Sequence, residues 1–372
     1  MSMKKFRPAG LVLAAAVLLS PALQAQDQPA QDQQPQGQFG EKVNVQEVLL
    51  DVLVTDAKGN VIVGLGPDDF VVKEDGKPVQ ITGVSFYSNR SLAEPSADAA
   101  RKGLKTAQAP EDRYFILFFD DQKSNAVDAP VLLAQQMQAV QRARDWVARE
   151  LLPNDWVAVV SYDQKLKVQQ DFTHDRKALA AAISDAMKGK DHEGNWPSRV
   201  AQNSGPSLFA GLPRGNALRD ETGTIYDAVN ALARSAGNIT GRKNLLLFSN
   251  GFGNINSFGQ YVPDERYYPK MVHSLNDNNV AVYPIDLVPQ GTQHTMTDGL
   301  NQLASDTGGR YFFNFTNFLT PLKQVAQENS GYYLLSYGTE RPIDASGYQE
   351  VQVKTANPEF KVRARKGYEF GK

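Results

Sequence analysis

Three short segments concentrate the small oxygen-bearing side chains in which chemistry could reside: Asp120-Asp121-Gln122-Lys123-Ser124, Glu221-Thr222-Gly223-Thr224 and Ser249-Asn250-Gly251. Two readings of them stand. Short polar residues at strand ends and helix starts fix loops by hydrogen bonding; the same residues at an open edge could hold a ligand. The adjacent pairs Asp68-Asp69 and Asp120-Asp121 are of the type used for general acid–base work. Neighbours along a strand point to opposite faces, however, so neither pair can converge on one substrate. His174, His192, His273 and His294 lack the close helical spacing of a zinc site, and the absence of cysteine removes thiolate nucleophiles, Cys-ligated zinc and disulfides. The chain has no Gly-x-Ser-x-Gly elbow, no phosphate loop ending in Gly-Lys-Ser/Thr and no Gly-x-Gly-x-x-Gly fingerprint. The catalytic alternative is a hydrolase using Asp120 and Asp121. No nucleophile–base pair accompanies it, so the expectation is a protein that is not an enzyme.

Positioning these segments falls to the stretch from Arg113 onward, where apolar runs of strand length alternate with helical periods. That alternation is the mark of a doubly wound, mostly parallel sheet covered on both faces. Residues 114–119 form a continuous apolar run ending in Asp120-Asp121, as expected of a strand buried on both sides. Further strands are predicted at 156–162, 165–172, 244–248, 280–286, 310–313 and 332–337. Helices are predicted at 130–152, 174–188, 225–236, 264–279, 299–306 and 316–329. Ligands of such sheets collect outside the carboxyl ends of the strands, and all three polar segments belong at that edge. Residues 189–219, polar and rich in Gly, Asn, Pro and Ser, read as a long surface loop. The aromatics Phe252, Phe258, Tyr261, Tyr267 and Tyr268 follow Asn250, either as a contact surface or packed beneath the loop. Ahead of the α/β stretch, residues 41–90 alternate as short strands with a tight-turn signal at Glu74-Asp75-Gly76-Lys77, a small all-β domain followed by a linker at 91–112. Two more strands, 348–354 and 360–365, fall in the segment 338–372. They are too few to fold alone and are expected to complete the N-terminal β domain as a sandwich.

At the polar segments the sequence resembles the von Willebrand factor type A domain, and the order of its pieces resembles a bacterial secreted subfamily with a β segment before that domain. Leu303-Ala304-Ser305-Asp306-Thr307-Gly308-Gly309-Arg310-Tyr311-Phe312 looks like the family's closing helix-to-strand turn, and the resemblance covers residues 113–337. It implies a metal-ion-dependent adhesion site, built from Asp-x-Ser-x-Ser, a Thr and a later Asp around a divalent cation whose open position takes a partner's carboxylate. Asp120 matches the first aspartate and Ser124 the second serine, and Thr222 or Thr224 matches the threonine. Gln122 replaces the first serine and Asn250 the last aspartate. The implied ligands are therefore Asp120, Ser124 and Thr224, with Asp121, Gln122, Thr222, Asn250 and Phe252 left to touch a protein partner. Gln and Asn carry no charge, and charge count tunes the affinity of oxygen sites. The expectation is a degenerate site that holds Mg²⁺ or Mn²⁺ weakly, or a hydrogen-bonded cluster that holds none.

Lys4, Lys5 and Arg7 precede an apolar run at 11–23, and Ala25 follows, the pattern of a secretory signal cleaved after Ala25. The run is shorter than the roughly 20 residues of a membrane span and contains Ser20 and Pro21, so no span is expected after cleavage. Residues 26–40, almost all Gln, Asp, Pro, Ala and Gly, read as a disordered leader. With 39 Lys+Arg against 41 Asp+Glu there is no basic field to recruit a polyanion, which excludes nucleic acid as a partner class. Together these features predict an exported bacterial protein, periplasmic or extracellular, that binds a protein partner in adhesion. The alternative is a structural envelope protein whose edge binds nothing.

Overall fold

Strand β1 (Val43–Thr55) sets the pattern of the N-terminal region: Val48, Leu50, Val52 and Val54 are all buried on one face, the two-residue period of a strand covered on that side. The structure, a computed structural model, describes residues 43–88, 105–106, 112–120, 129–189, 205–292, 295–342 and 345–371. The expected signal at 1–25, the leader at 26–40 and most of the linker lie outside the described residues. After β1 come β2 (Phe70–Glu74), β3 (Lys77–Val79) and β4 (Ile81–Ser88). Asp75 and Gly76, both at positive φ, make the tight turn between β2 and β3. A two-residue strand, β5 (Lys105–Thr106), pairs in parallel with β4 inside the stretch read as linker.

The α/β region then runs β6 (Arg113–Asp120), α1 (Ala129–Arg149), β7 (Asp155–Tyr162), β8 (Leu166–Thr173), α2 (Arg176–Met187), α3 (Asn216–Glu221) and α4 (Ile225–Ala236). It continues with β9 (Lys243–Ser249), the short strands β10 (Asn254–Ile255) and β11 (Tyr261–Val262), α5 (Tyr268–Asp277), β12 (Val280–Asp286), α6 (Thr297–Asp306) and α7 (Leu319–Glu328). Its sheet has the order β12-β9-β6-β7-β8, parallel throughout except for β8, which runs antiparallel to β7. The chain moves outward from β6 through β7 to β8, then returns to the other side of β6 for β9 and β12. The fold is doubly wound, with its switch point between β6 and β9. Burial explains the apolar run of β6: Ile116 and Phe118 enter one core with Val229 and Leu232 of α4, while Phe115, Leu117 and Phe119 enter the other with Trp146 of α1 and Leu322 of α7. No described helix is long and apolar enough to cross a membrane.

The last strands are β13 (Gly331–Pro342), β14 (Gly347–Thr355), β15 (Lys361–Arg363) and β16 (Gly367–Phe370). Residues 332–337, read in sequence as the final strand of the α/β sheet, belong elsewhere. Strand β13 pairs antiparallel with β1, Leu335 opposite Leu50, and with β4, Leu335 opposite Val84. It occupies the middle of the sheet β15-β1-β13-β4-β5, and Tyr333, Leu335 and Tyr337 complete a core with Val48, Leu50 and Val52. Alternation in sequence identifies a strand's buried face but not the sheet that covers it. The facing sheet, β16-β14-β2-β3, again joins N- and C-terminal segments. Two other expectations differ from the structure. Residues 310–313 make only a single bridge, Phe312 with Ile285. The described part of the 189–219 stretch is not a surface loop: Leu208, Leu212 and Leu218 are buried in the core on the α4 side, and Asp171 anchors it by accepting from Ser207 Oγ (2.5 Å) and Leu208 N (2.8 Å).

Candidate functional site at the sheet switch point

The carboxyl ends of β6 and β9 are adjacent, Phe119 standing opposite Phe248. The next residue on each strand is therefore directed to the α4 face. Those residues are Asp120, 3% exposed, and Ser249, fully buried. Ser249 Oγ donates to Asp120 Oδ2 at 2.5 Å and accepts from Gly251 N at 2.9 Å, which ties the strand end to the following turn. Asn250 is half-buried and its side chain has no hydrogen bond among the described residues. Gly251 and Gly253 sit at φ 92° and 139°. A Cβ there would overlap Met296 and the Tyr261 ring, respectively, so the Gly-Phe-Gly turn is demanded by geometry.

The threonines divide clearly. Thr224 is the N-cap of α4: its Oγ1 accepts from Asp227 N (3.1 Å) and donates to Asp227 Oδ2 (2.7 Å). Thr222, expected at the partner surface, is fully buried, with Oγ1 donating to Leu218 O (2.6 Å) and accepting from Leu166 N (3.3 Å); that placement removes it from any contact surface. Tyr162, the last residue of β7, donates to Gly223 O at 3.1 Å. Its hydroxyl is pushed up to about 12 by burial, reinforced by the charges of Asp120, Asp227 and Asp163. Ser249 belongs to one of the three polar segments but was given no role of its own, and Asp227 and Tyr162 were not singled out in the sequence. The Thr224-x-x-Asp227 spacing of a capping box was the available signal for one of them.

Asp121, Gln122 and Ser124 lie outside the described residues. Among those described, no three His, Asp or Glu side chains group closely enough to hold a metal ion. Asp120 is engaged by Ser249 and Thr224 by its own helix, and Asn250 is neutral, so these residues fit a hard dication poorly. The histidines are held locally: His174 Nδ1 lies 2.9 Å from Asp155 O with its ring against Trp156, and His273 stacks on Tyr348, while His192 and His294 lie outside the described residues.

The loop after β9 also carries aromatic side chains. Phe252 packs edge-on against Tyr226 (5.1 Å) and Tyr267 stacks on that same ring (5.9 Å), which places both beneath the loop. Phe258 is 86% exposed at the tip of the β10–β11 hairpin, where Asn256 Oδ1 accepts from Phe258 N and Gln260 N, each at 3.0 Å. Ile255 on the hairpin, Leu133 and Met137 near the start of α1, and Phe313 are also exposed.

The sheet order, its single antiparallel edge strand and the helices on both faces settle the architecture of this region. It is a doubly wound, mostly parallel α/β sheet with helices on both faces. Solved structures that it is similar to include an aerotolerance-related membrane protein from Bacteroides fragilis (11% identity over 58% of this chain and 98% of that one, TM-score 0.33). BatB from Bacteroides thetaiotaomicron also matches (15%, 58% and 96%, TM-score 0.36). Proximal thread matrix protein 1 of the mussel byssus matches at 18% identity and TM-score 0.36, over 58% of this chain but only 47% of that protein's length. No protein-family profile and no curated relative matches the chain.

Proposed function

We propose that the chain is an exported protein-interaction module, without catalytic role, that takes its partner at the carboxyl edge of the type A-like sheet. The observation that carries this reading is the switch point, where Ser249 bonds Asp120 at the adjacent ends of β6 and β9 and the β10–β11 hairpin that follows β9 exposes Ile255 and Phe258. Exposed aromatic and aliphatic side chains are the anchors that supply most of the energy of protein interfaces. The signal-like N-terminus supports export. With one carboxylate and otherwise neutral oxygens, the edge binds Mg²⁺ or Mn²⁺ no tighter than about millimolar.

The test is capture from the source organism's envelope by the wild type, Asp120→Ala and Phe258→Ala, with melting temperatures measured alongside. A discrete protein retained by the wild type and lost from both variants is expected, with the melting temperature unchanged in Phe258→Ala and lowered by only a few degrees in Asp120→Ala. Equal capture by all three, with a large fall in melting temperature for Asp120→Ala, would leave the edge as a hydrogen-bonded strand end in a structural envelope protein. Calorimetric titration of chelator-treated protein checks the cation, and micromolar affinity overturns the weak-site reading.

A further inference from the structure

A groove of about 390 Å³ opens at the other end of the α/β region, where the turn after α6 faces strands β14 and β15 of the sandwich. Its charged lining residues are Arg310, Arg363, Arg365 and Lys366, with no acidic residue among them. Carboxylates outside the lining face these cations. Glu328, 1% exposed, accepts from Arg310 Nη1 (2.5 Å) and Arg363 Nη1 (2.6 Å), and Asp306 accepts from Lys366 Nζ (2.9 Å). Arg365 feels the charges of Asp51 and Asp277, while its Nη1 and Nη2 donate to the carbonyls of Asn276 (2.7 Å) and Leu49 (2.8 Å) and its buried Nε has no hydrogen-bond partner among the described residues. Arg310 and Arg363 each use one guanidinium nitrogen on Glu328, whereas a guanidinium carries five N–H donors in a fork that suits carboxylates. The groove thus keeps unused guanidinium donors in a lining that holds no carboxylate of its own.

Its shape narrows the ligand. The volume is that of a site for an extended molecule rather than for a single small ion. Strand β15 ends its sheet, paired on one side with β1. An edge strand is a template for an added strand, with specificity supplied by pockets for alternate side chains. We propose that this groove binds an acidic, extended peptide segment of a partner protein, laid along β15 with its carboxylates on Arg310, Arg363 and Lys366. The site is separate from the carboxyl edge and does not depend on it.

Fluorescence anisotropy at low salt tests this with two labelled peptides, one alternating Glu and Val and the other alternating Lys and Val. The full chain is compared with the double variant Gln352→Glu/Lys366→Glu and with Asp120→Ala. Gln352 lines the groove and is exposed, so adding a charge there breaks no ion pair. Saturable binding of the Glu peptide alone is expected, unchanged in Asp120→Ala and weakened at least about tenfold in the double variant at equal melting temperature. No saturable binding, equal binding of the Lys peptide, or a double variant within about twofold of wild type overturns the proposal.

Discussion

At the carboxyl end of the α/β sheet the polar residues are held by hydrogen bonds of single hydroxyls, Ser249 onto Asp120 and Thr224 onto the first turn of α4. The amino end is closed by charge and by close backbone approach to the sandwich. There Glu328 bridges Arg310 and Arg363, Asn279 reaches Asp51 of β1, and Gly308, at φ 72°, lies so near Ala364 that a Cβ would stand 2.6 Å from its carbonyl carbon. The consequence is a division of labour along one set of strands. The buried Glu328 cluster sits where the α/β insertion joins its host sandwich. The end that faces away from this junction carries short polar groups, exposed apolar side chains and its own tight glycine turn at Gly251 and Gly253 and, among the described residues, no cluster of that kind. The Gly308-Gly309 turn, which looks like a family signature in the sequence, acts physically as a docking surface, since a Cβ on Gly309 would overlap the carbonyl of Val282.

The comparison is broken most directly at Glu328. Replacing it with Gln leaves two guanidinium groups around a neutral amide, and removal of one partner from a buried ionic cluster costs about 3 kcal/mol or more. Urea unfolding should show that loss for Glu328→Gln, against about 2 kcal/mol for Asp120→Ala, which removes the buried hydrogen bond from Ser249 to a carboxylate. Equal losses at the two sites would mean that the carboxyl end is as structural as the junction. Gly308→Ala comes next, at about 2 kcal/mol, because it combines a left-handed φ with overlap against backbone that cannot move aside. A Gly309→Ala variant of similar cost would confirm that contact with neighbouring backbone, rather than φ, dominates this turn.

Much of the α/β region was legible because its signals are local. The 3.6 period over 225–236 and the apolar run at 280–286 coincide with α4 and β12, and the predicted tight turn at 74–77 lies between β2 and β3. What could not be read is non-local. Tyr333, Leu335 and Tyr337 alternate as any strand would, and nothing in that alternation says that they face Leu50 rather than the α/β sheet. The site shows the same split. Asp120 and Asn250 could be assigned to strand ends from the runs that precede them, and both lie at that edge. Thr222 and Thr224, two residues apart, could not be told from each other. Their roles depend on which hydroxyl meets Leu166 on β8 and which meets the first turn of α4. The β10–β11 hairpin, only two residues per strand, is too short for any periodicity to show.

Thr224→Ala probes the carboxyl end alone. Loss of an N-cap costs about 1 kcal/mol, here read as a lower urea midpoint, and the junction should not respond. Binding of the acidic peptide to the groove is therefore expected to be unchanged in this variant, and a parallel loss there would show that the two ends are coupled.

The gentlest test uses pH, since the two ends titrate with opposite sign. Lys243, the first residue of β9, is buried with its Nζ donating to Ile239 O, and burial pushes it down to about 8 from the ordinary 10.5, with Asp51 partly offsetting and Arg365 reinforcing the shift. Between those values the folded state holds fewer protons than the unfolded chain, so stability rises with pH across that window. Tyr162, at the carboxyl end, is raised to about 12 from 10.0. Its contribution is complete below the lower value and is lost as pH climbs through the higher one. Urea midpoints should therefore be flat near neutrality, rise from pH 8 toward 10, and fall beyond. Lys243→Met should abolish the rise and leave the fall; Tyr162→Phe should reduce the fall and leave the rise, the remainder belonging to the other tyrosines that burial raises, among them Tyr226 and Tyr333, each to about 12, and Tyr268, Tyr311 and Tyr337. If Lys243→Met keeps the rise, the amino end does not hold a buried uncompensated ammonium, and the contrast between the two ends rests on the ion pairs alone.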